Sequence, residues 1–254
     1  MKTLKLGKAD VLRGSLILVN RSHPLNEEEA ITNLTPACEG GGSVLLDRRA
    51  AKPLFQITSY LNSAGRIVPV SGYRTKREQR TIYEDCLRES GKEFTGKYVA
   101  YPGCSEHQTG LAVDLAENKK GIDFIRPDFP DTGICGAFRR LAPRYGFIER
   151  YPSGREKITR IAHEPWHFRY VGCPHSEVMG EKALTLEEYT DYLKEFPFEG
   201  AHLRLIRRGV GFEVFYISVS PDREVSVELP DETPYEVSGN NVDGVVVTLR
   251  RARP

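Results

Sequence analysis

Residues 105–114 read Ser-Glu-His-Gln-Thr-Gly-Leu-Ala-Val-Asp, and residues 164–167 read Glu-Pro-Trp-His. His107, Asp114 and His167 supply two imidazoles and a carboxylate, which is a donor set for zinc with three protein ligands. Three ligands and one open position is the pattern of a catalytic metal site and not of a structural one. The open position admits a water, and Glu164 is the spare carboxylate that can take its proton. Gly110 lets the chain turn between His107 and Asp114, so that a loop residue and a strand residue converge. An Asp in place of a third neutral His lowers the charge of the site. Zinc is then a weaker Lewis acid, and a nearby base matters more. The constellation points to a metallopeptidase.

A rival metal reading uses the same segment. His163-Glu-Pro-Trp-His167 matches H-E-x-x-H, which requires a helix so that both imidazoles share a face. Pro165 stands in the middle of that would-be helix, where proline costs about 3 kcal/mol or more, and it pushes Glu164 toward extended geometry. His163 is therefore read as a structural or supporting residue. Cys104, close to His107, raises a nucleophilic-thiol reading, but no base partner is assigned to it.

Working outward, Gly110–Leu115 reads as the strand that carries Asp114. Trp166–Val171, aromatic and β-branched, reads as the strand that carries His167. Arg66–Ser71 is a short β run, and Pro69 makes it an edge or a terminated strand. Thr75-Lys-Arg-Glu78 is a capping box, with Gly91 placed to end its helix; 92–104 reads as loop. Further helices are expected at 51–64, with Pro53 in the first turn, at 134–145, and from the box Thr185-Leu-Glu-Glu188 to about Phe196. Residues 15–20 read as a strand, followed by a loop rich in Asn, Pro and Gly. After Pro197 the character changes to alternating runs at 203–208, 212–219, 223–229 and 244–249, with turns at Ser220-Pro-Asp222, Pro230-Asp231 and 239–244. Helices mixed with hairpins indicate α+β rather than repeating βαβ units. The expected division is a metal-binding domain at 1–196 and a small antiparallel β appendage at 197–254.

Composition removes other classes. The chain has 254 residues, 39% apolar, with net charge +1, so no field favours nucleic acid or a membrane surface. No run of about 18 apolar residues exists, and the polar N-terminus lacks a signal pattern, so no membrane anchor is expected. Five cysteines without a C-x-x-C pair fit reduced thiols in the cytoplasm better than a disulfide framework.

Ser71-Gly-Tyr-Arg-Thr75, Ser105-x-His-x-x-Gly-x-Ala-x-Asp114 and Glu164-x-Trp-His167 together resemble the zinc D,D-peptidases of the VanX/VanY type, most closely in order and spacing the bifunctional VanXY enzymes of vancomycin resistance. The resemblance covers roughly residues 10–196. It implies the fold shared with hedgehog-type domains, built on a central antiparallel sheet. It also implies one zinc per chain on His107, Asp114 and His167, with Glu164 as base and Arg74 as the electrophilic arginine. Arg74 makes independent sense, because the attacked carbonyl oxygen gains negative charge and a guanidinium is a permanent cation. The implied substrates are D-Ala-D-Ala or peptidoglycan precursors ending in it. Ser71, Tyr73, Gln79, Tyr101 and Ser105 lie near the motifs as candidate donors to the substrate's terminal carboxylate. Two alternatives remain: a murein endopeptidase or L,D-carboxypeptidase with the same site, and a non-catalytic zinc-binding interaction domain of hedgehog type. Glu164 and Arg74 together argue against the second, since a structural zinc needs neither.

Overall fold

The computed structural model describes residues 1–25, 33–38, 41–220 and 222–251. Its first elements are β1 (Lys2–Leu6), α1 (Lys8–Val11), β2 (Leu34–Pro36), β3 (Leu45–Asp47), α2 (Arg48–Tyr60), β4 (Ile67–Ser71) and α3 (Lys76–Tyr98). Next come β5 (Ala112–Glu117), α4 (Gly133–Leu141), β6 (Phe147–Glu149), α5 (Glu156–Thr159), β7 (His167–Tyr170), α6 (His175–Lys182) and α7 (Leu186–Leu193). The strands β8 (Leu203–Arg207), β9 (Val210–Ser218), β10 (Val225–Leu229), β11 (Tyr235–Gly239) and β12 (Gly244–Arg251) complete the order. The expected α+β class and central antiparallel sheet are present. No helix among the described residues is long and apolar enough to cross a membrane.

The chain divides into two compact units, Val19–Thr185 and Met1–Leu18 with Leu186–Pro254. The division expected at 196/197 left β1 and α7 with the first domain, whereas here both group with the strand-rich tail.

Within Val19–Thr185 a four-stranded antiparallel sheet has the order β4-β5-β7-β6. Pro69 lies on its edge strand, where the register shifts between Pro69 and Ser71. Alternation assigns the faces. Val113, Leu115 and Phe168 enter the apolar core with Ala50, Leu54 and Ile57 of α2 and Phe138 of α4. Phe129, Phe138 and Phe168 meet edge to face at 5.0–5.7 Å, the arrangement the ring quadrupoles favour. The opposite face carries Asp114, His167 and Arg169.

The capping box of α3 is formed, with Glu78 N–H donating to Thr75 Oγ1 at 3.2 Å and Thr75 N–H to Glu78 Oε2 at 2.7 Å. Gly91 breaks the helix at φ 77° as expected, but helix resumes to Tyr98, so 92–98 are not loop. Helix α2 starts at Arg48, capped by Asp47, and Pro53 sits inside it rather than in its first turn.

In the other unit, β11-β12-β9-β8 form a second four-stranded antiparallel sheet, and β1 pairs with β10. Leu6, Phe215, Ile217, Leu229, Val245, Val247 and Leu249 make its core. The four expected tail strands are present with shifted ends; β1 and β11 were not expected. Residues 15–20 are not a strand. Leu16, Ile17 and Leu18 are buried, but their backbone bonds go to a loop and to side chains. Leu18 N–H donates to Asn240 O and Leu16 N–H to Ser238 Oγ, while Leu18 O accepts from Asn241 Nδ2. The loop expected after residue 20 and the turn at 220–222 lie partly outside the described residues.

Candidate active site

Strand register assembles the core of the site. Asp114 on β5 stands directly opposite His167 on β7, and directly paired side chains on one face lie close enough to interact. His107 arrives from a 3₁₀ turn, Glu106–Thr109, closed by Gly110 at φ 68°. A Cβ at Gly110 would also stand 2.9 Å from the Asp47 nitrogen, so glycine is needed for both conformation and space. One ligand atom from each of His107, Asp114 and His167 lies within 4.8 Å of the others, and all three residues are buried.

The donor chemistry fits a metal ion. His107 Nδ1 lies 2.8 Å from the Gly72 carbonyl, which can only accept, so this nitrogen carries the proton. In the neutral ring Nε2 is then the bare nitrogen, and it faces Asp114 Oδ2 at 3.1 Å. His167 presents Nδ1 to Asp114 Oδ1 at 2.9 Å and Nε2 to Glu106 Oε2 at 3.5 Å. Two ring nitrogens and a carboxylate converging from three directions suit zinc. A carbonyl and a carboxylate behind the rings are the usual supports of metal-bound imidazoles. Gly72 itself is packed against β3, where a Cβ would lie 2.3 Å from the Leu45 carbonyl oxygen.

Burial shapes the electrostatics. It pushes His107 down to about 4, helped by Arg74 and opposed by Asp114. Burial would lower His167 too, but Asp114 and Glu106 outweigh it and raise that ring to about 9. Asp114 is held far below the usual carboxylate range; burial works against this, and the two imidazoles overcome it. Glu164 goes the other way. Burial, with Asp114 and Glu106 adding to it against His167 and Arg74, pushes it up to about 8. Its Oε2 lies 3.9 Å from His167 Nδ1, and its backbone N–H is fixed by the Tyr151 carbonyl. An upward shift of a buried carboxyl is the direction that proton-transfer chemistry uses.

Arg74, Ser105, His107, Asp114, Glu164 and His167 line one cleft, walled by Phe124, Ile125, Tyr151 and Trp166. Arg74 Nε is buried without a hydrogen-bond partner among the described residues, so a donor is available there. The remaining candidates are not among the cleft-lining residues. Ser71 is buried at the end of β4 opposite Asp114. Tyr73 gives its N–H to Leu45 O. Gln79 is buried and donates to the Ala100 carbonyl at 2.7 Å, and Tyr101 is half exposed beside Arg21. His163 turns away to Glu149 at 3.0 Å, in a segment that forms no helix. Burial raises the Cys104 thiol, the opposite of an activated nucleophile.

Motif reading missed Glu106, Arg150 and Arg169. Glu106 Oε1 accepts from Arg150 Nε at 2.7 Å and lies 2.9 Å from Arg169 Nη1, with all three side chains fully buried. One signal was available: Arg169 follows His167 by two on a strand and so shares its face.

The VanY family, described as D-alanyl-D-alanine carboxypeptidase, matches residues 43–173. VanXYC of Enterococcus gallinarum, a bifunctional D-Ala-D-Ala dipeptidase and D-Ala-D-Ala carboxypeptidase, is 42% identical over 71% of this chain and 96% of its own length. The solved vancomycin-resistance D,D-dipeptidase VanXYg, in complex with a D-Ala-D-Ala phosphinate analogue, superposes with TM-score 0.95 at 45% identity, covering 98% of this chain and 99% of that one. A mutant VanY D,D-pentapeptidase from a VanB-type cassette, in complex with Zn(II), gives 0.56 at 32% identity over 69% of this chain and 98% of that one. The strand-rich tail, outside the expected resemblance, is thus shared with VanXYg. The chain belongs to the VanY family of D-alanyl-D-alanine carboxypeptidases.

Proposed function

We propose that this chain is a zinc-dependent D,D-peptidase that hydrolyses D-Ala-D-Ala and removes C-terminal D-Ala from peptidoglycan precursors, contributing to vancomycin resistance. The observation that carries the reading is the buried convergence of His107 Nε2, Asp114 and His167 Nδ1 in a cleft that also holds Glu164 and Arg74. One zinc per chain is held by those three ligands. When bound, zinc supplies a Lewis acid and acidifies a water.

The protein's own groups do the rest. Glu164 takes the proton of the attacking water and passes it to the leaving amine. Arg74 donates to the carbonyl oxygen as that oxygen becomes anionic. Ser105, at the cleft wall, is the donor we assign to the substrate's terminal carboxylate. Gln79 holds the Ala100 backbone that lines the same wall. The bifunctional activity named for VanXYC supports taking both dipeptide and precursor as substrates. Five free cysteines fit a reducing cytoplasmic setting.

The deciding experiment gives purified enzyme D-Ala-D-Ala, D-Ala-D-Ser, D-Ala-D-lactate and a pentapeptide precursor. D-Ala release from the first and last is expected, lost with Glu164→Ala while zinc content stays at the wild-type level. A zinc-loaded wild-type enzyme inert on all four would reject the reading.

A further inference from the structure

We propose that Glu106 is a positioning residue for the metal site. It fixes the His167 ring with its proton on Nε2 and its bare Nδ1 toward the metal, and Arg150 and Arg169 help hold that carboxylate in place. The inference rests on the zinc reading above and extends it to three residues outside the ligand set.

The geometry divides the labour between the two carboxylate oxygens. Oε1 faces both guanidiniums, at 2.7 Å from Arg150 Nε and 2.9 Å from Arg169 Nη1. Oε2 is left aimed at His167 Nε2, at 3.5 Å. A buried carboxylate needs charged partners to be tolerated, and arginine, with its planar fork, is the residue suited to supply them. If charge balance were all that mattered, one guanidinium would neutralise Glu106; here Arg150 holds Oε1 by a hydrogen bond and Arg169 adds a second positive charge on the same oxygen. Backbone and ring packing tie the group to the ligand strand. Arg169 shares the face of His167 on β7, and Arg150 N–H donates to the His167 carbonyl at 3.1 Å. The Tyr151 ring lies 5.0 Å from the imidazole and 4.9 Å from the Arg150 guanidinium carbon. His107 needs no such device, because the Gly72 carbonyl sets its tautomer. His167, with no backbone carbonyl on its outer nitrogen among the described residues, takes a side chain for the purpose. Outer partners of this kind are typically worth 10–100-fold in metal affinity.

The test compares wild-type and Glu106→Gln protein, each stripped of metal and titrated with zinc against a chromogenic chelator. A 10–100-fold weaker zinc affinity is expected in the variant, with a shifted visible spectrum of the cobalt-substituted form. A merely structural Glu106 would lower the melting temperature and leave affinity and spectrum unchanged, and that result overturns the proposal. Should Glu106→Gln fail to fold, histidine-¹⁵N NMR of the zinc-loaded wild-type protein decides. A proton on His167 Nε2 supports the assignment, and a proton on Nδ1 overturns it. Wild-type protein that binds no zinc would overturn the metal reading itself.

Discussion

The molecule contains two four-stranded antiparallel sheets built on the same alternation, and they put it to different uses. In β11-β12-β9-β8 the strands send Phe215, Ile217, Val245, Val247 and Leu249 into an apolar core. In β4-β5-β7-β6 one face is equally apolar, but the other turns Asp114, His167 and Arg169 into a buried space. Burying an apolar side chain adds roughly 1.5–3 kcal/mol. Burying a carboxylate is costly until it is paired. The same antiparallel alternation therefore stabilises in one place and gathers charged groups in the other. What sets the two faces apart is which side chains occupy alternate positions.

The strongest test of this contrast exchanges its two halves. Asp114→Ala is expected to abolish zinc retention and turnover, while Leu249→Ala lowers unfolding free energy by about 2–5 kcal/mol and leaves the zinc-to-protein ratio intact. Metal analysis and urea denaturation read both; zinc loss in folded Leu249→Ala would show that the tail sheet contributes to the chemistry. Next come the two charged groups of the cleft. Glu164→Ala should cost about 10²–10⁴ in turnover and Arg74→Ala about 10²–10³, mainly in kcat. If Arg74→Ala raises KM with kcat little changed, Arg74 binds the terminal carboxylate and does not stabilise the oxyanion.

A smaller effect concerns acid. Burial holds His175, at the start of α6, down at about 3, so the unfolded chain takes its proton first. Its contribution is complete above the ordinary value near 6.5 and is lost as pH falls from there toward 3, at up to about 1.4 kcal/mol per pH unit. Denaturation of zinc-free protein across that range should show a shallower acid slope in His175→Gln, and an unchanged slope would assign the acid loss to other groups. The smallest effect is expected from His163→Ala, which should leave zinc content unchanged, since His163 faces Glu149. Loss of zinc there would restore the rejected H-E-x-x-H geometry.

The proposed ligand set was readable because metal chemistry draws on few residue types, and the helix start at Thr75 because a capping box is a local pattern. Glu106 and Arg150 were not readable, and Arg169 only through its two-residue spacing from His167 on a strand. A buried ion cluster looks like any mixture of surface charges until the fold closes over it. Strand β1 has visible alternation at Leu4 and Leu6, but its partner β10 lies near the other end of the chain, and no local signal connects them. The run at 15–20 misled for a simple reason: four apolar residues without alternation announce burial, not a ladder.

The direct pairing of Asp114 with His167 ties the chemistry to parity rather than to distance along the chain. Between them the chain makes α4, β6 and α5, and insertions or deletions in those connections leave the pairing alone. A slip of one residue in β5 or β7 would instead rotate Asp114 or His167 into the apolar core and bring Val113 or Phe168 to the cleft. Length variation among relatives should therefore gather in the loops between the two motifs, while the strands themselves admit none.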